Sequence, residues 1–251
     1  MSLVNTPAIL LRSYPYSETS QILRFYSESL GVVGAMAKGV RKAGGRRGGA
    51  LATFAQGLLT LYYRDNRDLQ TFRDFSAEKT RRGLAGDPLR LAAASVLGEL
   101  ILQHAESEGN PGLFAALSAG LDEMDAGAED SLLPRLLTQL WGLVRELGYG
   151  PVLEECVECG KPLAQDDMGR FDFAAGGLRC PACLTGLQGP RLGPRARAQL
   201  RALLKGGLGE ALIRPRAHLR LASDFITYHI SGGTPLRSMA VLVTLIPKSH
   251  A

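Results

Sequence analysis

Through the first 80 residues, apolar positions come in short bursts. The segments AILLRSY (8–14), SQILRFYS (20–27), GVVGAMAK (31–38), FAQGLLTLYYR (54–64) and LQTFRDF (69–75) are rich in aliphatic and aromatic residues and partly alternate. That is the pattern of half-buried strands. Turn formers separate them: Pro15 with Ser17, then Ser29 to Gly31, a glycine-rich stretch after residue 38, and Arg64–Asp65–Asn66–Arg67–Asp68. Five strands of this length predict a small Greek-key barrel of the OB-fold type.

From residue 81 the hydrophobic period lengthens. Asp87–Pro88 supplies an N-cap and a proline at the first helical position, and Leu89, Ala93, Val96, Leu97 and Leu100 then recur at helical spacing. Asn110–Pro111 repeats that start signal before Leu113, Phe114, Leu117, Leu121 and Met124. Ser131 opens a third helix, with Leu133, Leu136, Leu137, Leu140, Trp141, Val144 and Leu147 on one face and Gly148 as its stop. These stripes read as core.

Residues 150–193 break the pattern with Gly, Pro and Cys, and helices resume over 194–205, 216–231 and 235–246, the last started by Thr234–Pro235. The expectation is an α+β chain: a five-stranded barrel over 1–80, then an α-helical domain over 81–251 that carries a cysteine-bearing insert at about 151–190.

Charge sharpens this division. Residues 1–80 carry a net +5, residues 81–150 a net −5 and residues 151–251 a net +5, which together give the chain's +5. Two basic ends around an acidic middle suggest a polyanion binder. The longest uncharged run, GGALATFAQGLLTLYY (48–63), falls short of the roughly 18 residues of a membrane span. The start, MSLVNTPAILLRSY, lacks the basic region and cleavage site of a secretion signal, so a cytoplasmic place is predicted.

All four cysteines fall into one pattern, CVEC (156–159) and CPAC (180–183), with 20 residues between the pairs. This is a zinc-site spacing. Two thiolates two residues apart in a tight turn can face one ion, and two such knuckles complete a tetrahedron. Disulfides do not suit a chain without a secretion signal, and a redox CxxC normally sits on a βαβ unit, which is missing here. Cys156, Cys159, Cys180 and Cys183 are therefore predicted to bind one zinc ion. Four thiolates leave no position for water, so the ion would be structural.

No catalytic constellation presents itself. His104, His218, His229 and His250 have no paired metal spacing, and neither G-x-S-x-G nor G-x-G-x-x-G occurs. The stretch KGVRKAGGRRGG (38–49) is not a phosphate loop either: Gly45 leads into Arg46–Arg47 where a Walker motif needs Gly-Lys-Ser/Thr. Glu154, Glu155, Glu158, Asp166 and Asp167 crowd the insert, but adjacent carboxylates in a loop are ordinarily solvated. The chain is read as a non-enzyme with no small-molecule substrate.

The assembled order resembles a known family. TPAILLRSYPYSETSQILRFYSESLGVVGAMAKGVRK (6–42), the Gly/Arg-rich segment behind it and FAQGLLTLYY (54–63) are similar to the N-terminal barrel of the RecO family of bacterial recombination mediators. The likeness runs through the helical part and its CxxC…CxxC insert to ISGGTPLRSMAVLVTLI (230–246), so it spans essentially the whole chain. It implies an OB-fold domain followed by a helical domain. The activity implied is binding of single- and double-stranded DNA, annealing of complementary strands, and help in loading recombinase onto strands covered by single-strand-binding protein. The implied partners are RecR and the acidic C-terminal tail of single-strand-binding protein, in a cytoplasmic, nucleoid-associated setting. The four cysteines are not universal in that family, which agrees with a structural ion, and no nucleotide hydrolysis is implied.

An OB barrel holds single strands by a positive groove and aromatic platforms. The connection after the third strand offers Lys38, Arg41, Lys42, Arg46 and Arg47, which form the principal DNA-binding candidate. Phe25, Tyr26, Tyr62 and Tyr63 are weaker candidates, since aromatics in small barrels are more often core. A second basic group comprises Arg195, Arg197, Arg201 and Lys205, followed by Arg214, Arg216 and Arg220. DNA, the acidic tail and plain solvent all stay open as what these residues face. The alternative to the mediator reading is a zinc-stapled scaffold whose barrel binds protein.

Overall fold

Five strands close the N-terminal barrel: β1 (Ser2–Pro15), β2 (Gln21–Ser27), β3 (Gly31–Ala37), β4 (Gln56–Tyr63) and β5 (Leu69–Lys79). The computed structural model describes residues 2–40, 51–126, 131–186, 188–207 and 211–247. The strands pair in the order β1-β2-β3-β5-β4, and β1 pairs again with β4 to complete the circle. Only β3 and β5 run parallel. This is the OB-fold order that the strand pattern predicts. Leu10, Leu23, Phe25, Val33, Ala35, Leu59, Leu61 and Phe72 fill the interior. The Phe25 ring lies parallel to Phe72, with centroids 6.5 Å apart, and meets Phe75 at 5.3 Å.

One irregularity in β1 decides what the barrel shows outside. Leu10 pairs with Phe25 and Arg12 with Arg24, so Leu11 is an extra residue in the ladder. Such a bulge inverts the alternation of the strand. Ala8 and Leu10 turn into the barrel before it; after it Ser13, opposite the buried Leu23, takes that side, and Arg12 and Tyr14 turn outward.

Three helices follow: α1 (Arg82–Gly86), α2 (Pro88–His104) and α3 (Pro111–Ala126). The Asp87 carboxylate accepts from the backbone N–H groups of Leu89 and Arg90 at 2.8 and 3.2 Å, and Asn110 Oδ1 accepts from Leu113 at 2.9 Å. Both helix starts thus use the caps read from the sequence. The chain packs as two compact units, Met1–Ala126 and Gly127–Ala251, so α1–α3 belong with the barrel in space.

Arg81 shows how that packing is fixed. Its side chain is 1 % exposed. It donates to the Phe54 carbonyl at 2.7 Å, to Gln56 Oε1 at 2.9 Å, to the carbonyl and hydroxyl of Ser118, and to Asp122 at 2.8 Å. Burial lowers its pKa, and Asp122 opposes that shift. Phe54 has a left-handed backbone at φ 66°, unusual for a residue with a side chain. Its N–H donates to Leu10 at 2.6 Å, and its ring occupies the space that a side chain at Gly98 would need.

The second unit contains α4 (Leu132–Glu146), α5 (Pro194–Leu204), α6 (Pro215–His229) and α7 (Arg237–Leu245). Between α4 and α5 lies a small sheet of β6 (Gly169–Asp172), β7 (Gly177–Arg179) and β8 (Arg191–Leu192), in the order β7-β6-β8. Trp141, Phe225 and Phe171 form its aromatic core, with centroids 5.3 and 6.2 Å apart in turn. The last helix departs from the sequence expectation. Thr234–Pro235 does not start it; the Thr234 N–H is engaged by the Ser231 carbonyl in a turn, and the helix begins at Arg237 with Leu236 as its cap.

Candidate metal centre and nucleic-acid surface

The two cysteine pairs converge. The sulfur atoms of Cys156, Cys159, Cys180 and Cys183 all lie within 4.8 Å of one another, and Cys159 and Cys180 are 3.8 Å apart. A tetrahedral shell with Zn–S near 2.3 Å requires sulfurs about 3.8 Å apart. The donor set and its spacing therefore fit a metal ion.

Backbone hydrogen bonds build each knuckle. The Gly160 N–H donates to the Cys156 carbonyl at 2.8 Å, and Gly160 takes φ 68°, which a glycine adopts without strain. Cys156 N–H donates to Lys161, and Val157 N–H to Leu178, tying the first knuckle to β7. In the second knuckle the Cys183 N–H donates to the Cys180 carbonyl at 2.9 Å, over a short 3-10 turn begun by Pro181. Gly177 has no room for a side chain: a Cβ there would lie 2.5 Å from Val157 and 2.6 Å from the Val152 carbonyl.

The thiols are electrostatically unequal. Burial pushes the Cys156 thiol up, but N–H donors from Cys180, Cys159 and Glu158 more than offset this and hold it at about 6. Cys183 is pushed up to about 12, first by its hydrogen bond to Cys180 and then by Cys159. The Cys156 thiolate is thus already favoured, and its charge is among the causes that hold the proton on Cys183. A bound cation relieves that repulsion.

Charged side chains brace the centre. Arg179, next to Cys180, pairs with Asp172 at 2.7 Å and with Glu158 of the first knuckle at 3.0 Å. Burial pushes the Asp172 carboxyl up, but the Ala175 N–H, Arg179 and the Ala174 N–H hold it below its ordinary value. From α5, Arg201 pairs with Glu154 at 2.7 Å. Arg197 is 1 % exposed and donates to the carbonyls of Ala164 and Gln165. These two members of the C-terminal basic group are thus struts between helix and insert, and Arg197 is no surface residue. Arg195 and Lys205 are exposed. The bracing role leaves no sign in the sequence, because a surface arginine and a buried strut are written alike.

The barrel candidates also divide. Phe25 and Tyr26 are core residues, and burial raises the Tyr26 hydroxyl to about 12. Tyr62 and Tyr63 are half-buried, with the Arg73 guanidinium 5.8 Å from the Tyr62 ring centre. Lys38 is exposed just past the end of β3. Arg41, Lys42, Arg46 and Arg47 lie outside the described residues. An open groove of about 250 Å³ between α6 and α7 was not foreseen; Leu219, Met239, Val243 and Ile246 line it beside Arg216 and Arg220. Among the described residues, no helix is long and apolar enough to cross a membrane.

Strand order and thiol cluster together define the class: an OB-fold protein whose second unit carries a four-cysteine centre able to hold a metal. Comparison with known families goes further. Residues 1–81 match the family described as recombination protein O N terminal, and residues 85–239 match recombination protein O C terminal. The DNA repair protein RecO of Anaeromyxobacter sp. (strain K) is 33 % identical over 224 residues, covering 86 % of this chain and 85 % of that protein. That of Desulfatibacillum aliphaticivorans is 31 % identical over 243 residues, covering 90 % and 92 %. That of Prosthecochloris aestuarii is 29 % identical over 262 residues, covering 98 % of each. The chain belongs to the RecO family of DNA repair and recombination proteins.

Proposed function

We propose that this protein is a recombination mediator. It binds single- and double-stranded DNA without sequence preference, anneals complementary strands, and helps load recombinase onto strands coated with single-strand-binding protein, acting with RecR in the cytoplasm at the nucleoid. The carrying observation is a closed OB barrel whose β3–β4 connection holds Lys38, Arg41, Lys42, Arg46 and Arg47. Phosphate contacts fix position but carry no sequence information, so such binding is non-specific and salt-sensitive. Annealing needs that property, since strands held by their backbones keep base edges free to pair.

No step of this function requires a catalytic group. The functional modules are the barrel over 1–80 and the helical part over 81–251 with its insert at about 151–190. Cys156, Cys159, Cys180 and Cys183 hold one zinc ion, which staples an insert too short to build a core of its own. For the acidic tail of single-strand-binding protein, the α6–α7 groove offers an apolar floor, with the side chain of Arg220 85 % exposed beside it. Arginine is suited to gripping carboxylates there.

The deciding experiment is an annealing assay on complementary strands precoated with single-strand-binding protein. Faster annealing than the uncatalysed control supports the mediator. No acceleration, with no binding to unrelated single strands at low salt, favours the protein scaffold instead.

A further inference from the structure

Past the bulge at Leu11, the outer surface of the barrel carries an unusual set of side chains. Arg12 stands opposite Arg24, and Tyr14 opposite Ile22; on the next strand, Arg24 faces Gly34 and Ile22 faces Met36. The other half of this outer surface is covered. Ile9 and Tyr26 are buried, the Tyr26 ring lies 6.3 Å from that of Phe114 on α3, and α2 packs on β1 and β2. The uncovered half leaves Tyr14 41 % exposed, and Tyr16, in the β1–β2 turn, is 65 % exposed.

The electrostatics point to an anion with a flat apolar part. Among the described residues, Arg12, Arg24 and Lys38 form no ion pair. The Arg12 guanidinium lies 5.3 Å from the Tyr14 ring centre, within cation–π range. Arg24 reaches over Gly34 on the next strand, its Nη1 3.5 Å from where a Cβ would sit. The surface is thus an aromatic ring fixed on a rigid strand, a small apolar neighbourhood of Ile22 and Met36, and unpaired cations around it.

We propose that Tyr14, with Arg12 beside it, is a base-stacking platform for single-stranded nucleic acid, with Arg24 and Lys38 taking the adjoining phosphates. The proposal rests on the DNA-binding reading above and adds to it a means of telling single from double strands. In a duplex, each base face is covered by its neighbours, so only the cations can engage it. An unpaired base can lay its face on Tyr14, and its pairing edge stays free. Tyr16, at the rim of the same surface, is placed to take a second base.

The test measures binding of the full-length protein to three labelled probes: a single-stranded thymidine oligomer, an abasic strand of equal length, and a duplex. Tyr14→Ala should weaken binding to the thymidine strand by about five- to 150-fold, as ~1–3 kcal/mol for one stacked base corresponds to, and the Tyr14→Ala/Tyr16→Ala double variant should weaken it further. Affinity for the abasic strand and the duplex should stay unchanged, as should the salt slope, since no charge is removed. Tyr14→Phe should bind like the parent, because the ring is kept. An equal loss on all three probes, or none on the thymidine strand, overturns the platform while leaving DNA binding intact. Competition by an oligoglutamate peptide that the tyrosine variants abolish would reassign the surface to an acidic protein segment. If the unaltered protein binds none of the probes, the mediator reading itself falls, and the platform with it.

Discussion

Removing the Arg81 guanidinium would strand the Phe54 carbonyl beneath the barrel, whereas Gln56 Oε1 would keep the Ser118 hydroxyl as a donor at 2.6 Å. An unsatisfied buried acceptor costs ~1–3 kcal/mol, while half-exposed Asp122 can turn to water. Arg81→Met should therefore lower stability by roughly 1–3 kcal/mol, read as a drop in the urea midpoint with the slope unchanged. Asp172→Asn should cost about 1–2 kcal/mol at pH 7, because the amide cannot replace a carboxylate that accepts from Arg179 and from two N–H groups. Thermal unfolding followed in the second unit checks it; a melting temperature unchanged from the parent would count against the bracing role. Neither residue was legible beforehand. Arg81 lies at the entry to α1 and Asp172 ends β6, and nothing local marks a side chain whose partners lie some 20 to 40 positions away or in a turn that only folding creates.

Secondary-structure elements were the legible scale. Alternation and helical period depend on neighbours within a few residues, so β2–β5, the second half of β1 and the starts of α2 and α3 could be read directly, caps included; Ser2–Pro7 of β1 could not. The start of α7 could not, because Thr234–Pro235 is a local signal outweighed by a turn to Ser231. The cysteine spacing was likewise local and specific, and the four sulfurs do meet. Since the insert's buried apolar side chains are few, chiefly Leu153, Leu163, Phe171 and Leu178, a bound metal should carry much of its order. Strong chelation, or Cys180→Ser, should speed amide hydrogen exchange across 151–190 before that of the barrel, with DNA affinity at first retained. Uniform exchange across the chain, or no change in the insert, would contradict a stapling role.

For the molecule as a whole, charge is the quantity to test. Replacing Arg41, Lys42, Arg46 and Arg47 with neutral residues should weaken binding to unrelated DNA sequences to a similar degree. It should also flatten the dependence of log affinity on log salt, by close to one for each phosphate that is no longer neutralised. Filter binding at several salt concentrations measures both, and an unchanged slope refutes the basic connection as the phosphate grip. The grouping of α1–α3 with the barrel was not legible at this scale, since the switch from strand to helix near residue 80 marks a change of element type and not of packing.

A protein that gathers at high local density along a DNA strand brings many copies of itself side by side, where unpaired strand edges would invite sheet-to-sheet polymerisation. Pairing of β1 with β4 leaves no such edge on the barrel. On the mediator reading proposed above, copies crowded along one strand would therefore meet barrel to barrel through side chains alone, free to come apart once annealing is done.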